Sequence, residues 1–227
     1  EEWQESCVEK LDGMFAFALF DVDNTLLNSR PKIRADIVRA MAALGKVIRP
    51  EEADGEWRKL AQRYGISWKE FDEATTKYRK SWQDSLRDGE APLFDDAVPC
   101  FDTLKGAGVE LGILTRSTPE YTQTKLEFYG LGKYFQNIEV VPVDARDKID
   151  GATGLVRRIG TKGIRRISFI GDKLEDVQVA EPVQEAFSIN SEGIYVNRNN
   201  KPISGYGGIV VTGLEEAARY ILRENGR

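Results

Sequence analysis

The stretch MFAFALFDVDNT (residues 14–25) decides the fold. Its first seven residues are apolar on both faces, which indicates a buried central strand of a parallel sheet. Asp21 and Asp23 follow directly, at the carboxyl end of this strand. In a strand that continues, alternate positions share a face, so both carboxylates would point at one spot. Two like charges that close are costly unless a cation lies between them or one is protonated.

Five more short apolar runs follow along the chain, at 109–114, 138–143, 167–170, 186–189 and 209–211. Segments with helical spacing lie between and after them, at 97–105, 119–129, 151–159 and 214–222. This alternation predicts an α/β fold in which a Rossmann-like, doubly wound parallel sheet forms the core.

One interval breaks the alternation. Residues 31–91 contain no strand-like run and only amphipathic helical segments, at 33–44, 51–64 and 68–86. A crossover between parallel strands needs far fewer residues, so we predict an inserted all-helical cap subdomain at 31–91. Residues 1–30 and 92–227 then form the catalytic core. Within it, 1–13 have the pattern of an extra N-terminal helix, for which a homodimer contact is the alternative to packing on the core.

Composition excludes several functional classes. The 227 residues include no histidine, which rules out Ser-His-Asp hydrolysis and His-ligated zinc. Cys7 and Cys100 lie far apart without CxxC spacing, which fits a reducing cytoplasm. The net charge of −5 is spread along the chain, and no apolar run approaches the length of about 18 residues that spans a membrane. We therefore expect a cytoplasmic protein that binds neither nucleic acid nor membranes.

Polar residues follow four of the predicted strands, at the edge where ligands bind in open parallel sheets. Besides the first pair, they are Thr115, Lys148 and the two carboxylates Asp172 and Asp176. Carboxylates without histidine or cysteine favour Mg²⁺ over zinc or copper. An added ammonium and hydroxyl suit a phosphoryl group, whose charge the lysine and the metal offset.

These residues carry a family resemblance. DVDNT (21–25), ILT (113–115), Lys148 and GDKLED (171–176) resemble, in order, the four motifs of the haloacid dehalogenase-like hydrolase superfamily. The resemblance runs from about Phe15 to Leu222, and the helical insert lies where that superfamily carries its first type of cap. It is nearest to the phosphatase branch, of the phosphoglycolate phosphatase kind.

The resemblance implies a catalytic role for each carboxylate. Asp21 would attack phosphorus and form an aspartyl-phosphate. Asp23 would protonate the leaving alcohol and later deprotonate water. Asp21, the backbone carbonyl of Asp23, and Asp172 would hold Mg²⁺, while Asp176 would act through a water or from behind these ligands.

The resemblance also implies which side chains bind phosphate. Thr115 and Lys148 would hold the transferring phosphoryl oxygens. Arg116 stands where the family often has asparagine, so its guanidinium would face the phosphate or the substrate. Lys162 and Lys173 are alternatives to Lys148, because lysines are abundant in this chain.

The reaction we expect is therefore Mg²⁺-dependent hydrolysis of a small phosphomonoester, with a phosphorylated metabolite as substrate. An acid at position 23 favours phosphate chemistry, because the release of a halide needs no proton. Two alternatives stay open: a phosphomutase acting on a sugar phosphate, and a non-catalytic binding or regulatory protein on the same fold. In the cap, aromatic side chains such as Trp57 and Trp82 could line a substrate pocket, although packing is the more common role.

Overall fold

A computed structural model describes residues 15–54, 57–135, 137–141, 148–200 and 202–225. The predicted N-terminal helix at 1–13, and with it the dimer contact, falls outside these residues.

Six strands form one sheet in the described chain, and every neighbouring pair is parallel. They are β1 (Phe15–Phe20), β2 (Glu110–Thr115), β3 (Asn137–Val140), β4 (Ile164–Gly171), β5 (Asn190–Val196) and β6 (Ile209–Val211). Their order across the sheet is β3-β2-β1-β4-β5-β6, so the chain winds outward from β1 in both directions. The predicted Rossmann-like, doubly wound sheet is confirmed.

Ten α-helices lie in the described ranges. They are α1 (Arg30–Ala43), α2 (Trp57–Arg63), α3 (Trp68–Tyr78), α4 (Trp82–Arg87), α5 (Ala97–Gly106), α6 (Pro119–Phe128), α7 (Ile149–Ile159), α8 (Leu174–Val177), α9 (Ala180–Phe187) and α10 (Leu214–Asn225). Short 3-10 turns occupy Pro50–Asp54 and Leu131–Lys133.

The chain divides into two compact units. The core unit, as far as it is described, contains residues 15–22, 95–118 and 132–225, and the helical unit contains 23–94 and 119–131. The helical unit therefore includes α6, which the sequence analysis assigned to the core. The cap boundaries at 31–91 stay a prediction.

Strand β1 is buried on both faces, as its apolar run predicts. Phe17 and Leu19 belong to a cluster of buried residues that includes Leu155 of α7 and Val183 of α9. Phe20 instead packs edge-on against Phe101, with ring centroids 5.5 Å apart. Burial on both faces makes β1 a rigid support for whatever follows its last residue.

The helical unit has its own apolar core. Ile37 and Met41 of α1 pack there with Leu60 of α2 and Phe71 of α3. The capping box of α3, in which the hydroxyl of Ser67 accepts from the backbone N–H of Glu70 at 3.2 Å, fixes where that helix begins.

The predicted fifth strand at 186–189 is wrong. Ala186 and Phe187 end α9, Ser188 takes a left-handed φ of 54°, and β5 begins at Asn190. Phe187 and Ile189 pack against the main apolar cluster, which explains why this short run looks like a strand. Periodicity alone does not distinguish a buried helix end from a buried strand.

Two predicted helices are each divided. The segment 51–64 forms a 3-10 turn and then α2, and the segment 68–86 forms α3 and α4. Between the latter two, Arg79 is extended, and the Ser81 hydroxyl accepts from the backbone N–H of Asp84 at 3.1 Å. A serine that caps a new helix is a local stop signal within a continuous helical pattern.

Candidate active site

Asp21 directly follows β1 and lies at the carboxyl end of the sheet. Its backbone N–H donates to the carbonyl of Ile170 at 2.9 Å, which extends the pairing with β4 by one residue. The Asp21 side chain is buried, with 8% of its residue surface exposed. The residue is therefore held on the central strand, beside the ends of its two neighbours.

Lys148 binds this carboxylate. It lies at the start of α7 and is 1% exposed. Its Nζ donates to Asp21 Oδ1 at 2.7 Å, to Asp176 Oδ1 at 2.6 Å and to the carbonyl of Leu114 at 3.0 Å. Three acceptors match the three donors of an ammonium, so the position of Lys148 is fully determined. Lys162 and Lys173, the alternatives, are both exposed.

The turn between β4 and α8 brings in two more carboxylates, Asp172 and Asp176. Asp176 Oδ2 accepts from the backbone N–H of Lys173 at 2.9 Å, so the turn itself orients this side chain. Gly171 makes room for it, because a Cβ at position 171 would overlap the Asp176 carboxylate. Glycine is required here by close approach and not by backbone angle.

Three carboxylates converge at this sheet edge. One oxygen each of Asp21, Asp172 and Asp176 lies within 4.8 Å of the other two. Hard oxygen ligands at that spacing fit a divalent cation such as Mg²⁺. The donor set therefore suits the predicted metal.

Burial and charge shift the titration of the buried pair. Burial raises the pKa of Asp21, the Lys148 ammonium opposes this, and the Asp176 carboxylate adds to it. Burial would lower the pKa of Lys148, but the charges of Asp176 and Asp21 outweigh burial, and the pKa is raised. Lys148 therefore carries its positive charge at neutral pH.

Thr115 and Arg116 follow β2 at the same edge. Thr115 is 1% exposed, and its backbone carbonyl accepts from the N–H of Val141 at 2.8 Å. Strand register pairs Phe20 with Ile113, so Thr115 and Asp21 end neighbouring strands. Arg116 forms an ion pair with Glu175 of α8 at 3.5 Å, a contact that the sequence did not reveal.

Asp23 belongs to the helical unit, where it pairs with Leu27 in an isolated bridge. Asn24 between them has a left-handed φ of 65°, which asparagine accepts more readily than most residues. Lys125 of α6 donates to both carboxylate oxygens of Asp23, at 2.9 and 2.7 Å. Sequence reasoning missed Lys125. Its one signal is its place beside Leu126 on the buried face of α6.

Comparison with known proteins decides the family. The model of the haloacid dehalogenase-like hydrolase family matches residues 16–183, which include every residue of the site described above. The chain belongs to this family. The predicted family is confirmed.

Two curated proteins are similar in sequence to this chain. Phosphoglycolate phosphatase 1 of Pseudomonas aeruginosa is 26% identical over 177 residues, which cover 72% of this chain and 64% of that protein. A Clostridium perfringens protein with the name pyrophosphatase PpaX is 25% identical over 61% of this chain and 65% of its own length. The matches thus span just under two thirds of both curated relatives.

Solved structures share the fold. The crystal structure of a predicted phosphatase from Clostridium acetobutylicum superposes with a TM-score of 0.73 and 18% identity, covering 92% of this chain and 99% of that one.

In the ranges described for our chain, no helix is both long and apolar enough to cross a bilayer.

Proposed function

We propose that this haloacid dehalogenase-like hydrolase is a Mg²⁺-dependent phosphomonoesterase with Asp21 as its nucleophile. The carrying observation is the buried Asp21 carboxylate, held by Lys148 and lying within 4.8 Å of Asp172 and Asp176 oxygens. A buried carboxylate with a fixed ammonium partner, beside oxygen ligands for a hard cation, suits attack on a phosphoryl group.

The first step forms a covalent intermediate. A carboxylate oxygen of Asp21 attacks phosphorus, and the bond between phosphorus and the leaving oxygen breaks. Asp23, two residues further along the chain, gives its proton to that oxygen and releases the alcohol. Lys148 orients Asp21 before the attack. Once an Asp21 oxygen bonds to phosphorus, the Lys148 donor that Asp21 had accepted turns to a phosphoryl oxygen, and Thr115 holds another.

The second step restores the enzyme. A water molecule attacks phosphorus and passes a proton to Asp23, and the bond to Asp21 breaks to release inorganic phosphate. Both aspartates then have the protonation state with which they began. The cycle therefore needs no group beyond the carboxylates, the lysine, the hydroxyl and the cation.

The cation supplies charge. Held by Asp21, Asp172 and the backbone carbonyl of Asp23, with Asp176 behind them, Mg²⁺ would offset the negative charge of the phosphoryl oxygens. Asp176 is suited to this outer place because its two oxygens already accept from Lys148 and from the backbone N–H of Lys173.

The substrate class follows from the acid and from the relatives. A proton donor at Asp23 serves an alkoxide leaving group, as in small phosphomonoesters. The relatives' names add phosphoglycolate and pyrophosphate as compounds to examine first. Arg116 lies beside the site, paired with Glu175 on α8, and is positioned to contact a phosphate or a substrate anion.

The test is an activity screen with Mg²⁺ over 2-phosphoglycolate, sugar phosphates, nucleotides and pyrophosphate. Asp21→Asn should lower phosphate release by at least roughly a thousandfold, because the nucleophile is lost. Asp72→Asn is the matched control, an exposed aspartate on α3 that should leave the rate unchanged. Hydroxylamine should trap the acyl phosphate as a hydroxamate on Asp21, identified by mass spectrometry.

Other results point elsewhere. No phosphate release from any compound in the presence of Mg²⁺ would refute the phosphatase. Interconversion of sugar phosphates without net hydrolysis would identify a phosphomutase instead. Ligand binding that survives Asp21→Ala in a protein without turnover would identify a binding protein.

A further inference from the structure

Lys125 is a fully buried cation outside the set of residues that the motifs mark. It lies on α6 with none of its surface exposed, and its ammonium contacts both oxygens of Asp23, at 2.9 and 2.7 Å. Two contacts from one donor group restrict rotation of the carboxylate as well as its position. Both residues belong to the helical unit.

The same ammonium lies over an aromatic ring. Lys125 Nζ is 3.7 Å from the centroid of Trp82, the first residue of α4, which is 9% exposed. A desolvated ammonium at this distance from an indole face is attracted by the ring quadrupole. Lys125 therefore contacts α4 and Asp23 at once.

Trp82 is itself fixed from a second direction. Lys32 of α1 places its Nζ 4.7 Å from the same ring. Lys32 is held by Asp36 and by the carbonyl of Lys80, the latter at 3.0 Å. The ring thus contacts two buried ammonium groups, each anchored by a carboxylate.

Stability alone is a weak explanation of this arrangement. A buried ion pair is often no more stabilising than apolar side chains of the same volume, because each charge loses its hydration. Thr122 and Leu126, its neighbours on the buried face of α6, carry no charge. A lysine at position 125 therefore calls for a reason connected with Asp23.

We propose that Lys125 is a positioning residue, which holds the Asp23 carboxylate in one orientation and couples it to α4 through Trp82. This role rests on the proposed function, in which Asp23 transfers a proton to the leaving oxygen. An acid acts only within hydrogen-bond reach of the oxygen it protonates, so a freely rotating Asp23 would be a poorer acid. The positioning matters most for leaving groups that must be protonated.

The experiment compares two kinds of substrate in single-turnover kinetics. One is the best alkyl phosphomonoester from the screen, and the other is 4-nitrophenyl phosphate, whose leaving group departs without a proton. In Lys125→Met, release of the alcohol should slow by roughly tenfold to a hundredfold. Release of nitrophenolate should slow by less than about threefold, and KM from separate steady-state assays should change as little, because ground-state binding is unaffected.

Lys77→Met is the matched control. Lys77 also places its ammonium over an aromatic ring of the helical unit, 5.2 Å from the centroid of Tyr78, but both residues are exposed. This variant should behave as the wild type with both substrates. A general effect of losing one lysine is thereby separated from an effect on Asp23.

A second arm covers the case in which Lys125→Met does not fold, since removing one partner of a buried pair leaves the other charge uncompensated. In Asp23→Asn/Lys125→Met both charges of the pair are removed together, and in Asp23→Asn the amide oxygen still offers an acceptor to Lys125. If Lys125 acts through Asp23, then removing Lys125 from Asp23→Asn should change nothing further. For each substrate taken separately, Asp23→Asn and Asp23→Asn/Lys125→Met should have the same rate. A further loss of roughly tenfold in the double variant would overturn the proposal.

The remaining outcomes distinguish a failure of the role of Lys125 from a failure of the proposed function. Equal slowing with both substrates, or wild-type rates in a folded Lys125→Met, would overturn the role of Lys125 while the phosphatase stands. A wild-type protein that releases phosphate from none of the compounds would overturn the proposed function and this role together.

Discussion

Lys148 places one positive charge against the carboxylates of Asp21 and Asp176, and because Lys148 is buried, water does not screen that charge. Its ammonium contacts Asp21 and Asp176 and is 1% exposed. Without it, two buried carboxylates would lose their nearest compensating charge, and the phosphoryl oxygens would lose a donor. The catalytic and structural consequences should therefore appear together.

Lys148→Met should reduce kcat by roughly a hundredfold to a thousandfold, because a donor to the transition state is removed. In the metal-free protein, the free energy of unfolding should also fall by about 3–5 kcal/mol, the usual cost of breaking a buried pair. Lys162→Met and Lys173→Met are the controls, since both side chains are exposed. A larger kinetic loss in either control than in Lys148→Met would transfer the phosphate-binding role to that lysine.

The pH dependence of this stability difference has a definite sign. The folded-state pKa of Lys148 is raised above its unfolded value, because the two carboxylates outweigh burial. Its contribution should be fully present below about pH 10, the unfolded pKa of lysine, and lost as pH rises further. Urea unfolding of wild type and Lys148→Met between neutral and alkaline pH measures it. A difference that already shrinks near neutral pH would contradict the raised pKa.

Among single residues, the sequence identifies candidate site residues that directly follow strands. It does not identify Lys125, which contacts Asp23 from helix α6. Asp21, Thr115 and Asp172 each follow a strand, so topology alone predicts their shared edge. Lys125 could not be found in this way, because a lysine in an amphipathic helix is usually exposed. Only the three-dimensional packing of α6 shows that its ammonium is buried on Asp23.

Among the elements of the core unit, the start of α10 is bound to α5 by the carboxylate of Asp96. Asp96, at the start of α5, accepts from the backbone N–H of Leu214 at 2.7 Å. It also receives two hydrogen bonds from Arg198, at 2.8 and 2.9 Å. One side chain thus joins α5, the segment after β5, and the first turn of α10.

Asp96→Ala should lower the free energy of unfolding by about 2–4 kcal/mol, because hydrogen bonds to charged groups are among the stronger ones. The midpoint of urea denaturation measures the change. Asp95→Ala is the control, since Asp95 is the exposed neighbour in sequence. Equal midpoints for the two variants would show that Asp96 does not hold α10 in place.

Element boundaries were the least predictable part of the fold. The break between α3 and α4 depends on Ser81, whose capping role is invisible within a continuous amphipathic pattern. The apolar run at 186–189 predicts a strand, but in the structure its residues pack on the main cluster from the end of α9. At 186–189 packing on the apolar cluster decides the outcome, whereas at Ser81 a local helix cap does.

For the whole molecule, the carboxylate cluster predicts that cation binding raises stability. A ligand that binds only the folded state adds about 2.7 kcal/mol at a concentration of about 100 times its Kd. Mg²⁺ should therefore raise Tm in a saturable way, beyond the effect of NaCl at equal ionic strength. Asp172→Asn should abolish most of this shift, because one of the three converging carboxylates is neutralised.

The matched control for this shift is Asp150→Asn, an exposed aspartate on α7. It should leave the dependence of Tm on Mg²⁺ unchanged. An equal Mg²⁺ shift in Asp172→Asn and wild type would place the cation elsewhere. Because the readout is Tm, this result is independent of any substrate.

The overall fold was predictable because two strong patterns agree. The doubly apolar run of β1 and the alternation of short strands with helices both require a parallel sheet. The assignment of α6 to the helical unit was not predictable, since nothing in 119–129 distinguishes it from the helices of the core unit. Which unit a helix joins depends on contacts between residues far apart in sequence.

The chain leaves the core unit twice, after residue 22 with return at 95 and after residue 118 with return at 132. Both departures follow strands whose ends carry candidate active-site residues, Asp21 and Thr115. Over evolution, these two excursions could lengthen, shorten or be exchanged between lineages without altering the register of a single strand. Selection for a new metabolite could thus act on these two excursions, Asp23 apart, while the proposed phosphoryl-transfer residues Asp21, Thr115 and Asp172 are inherited unchanged.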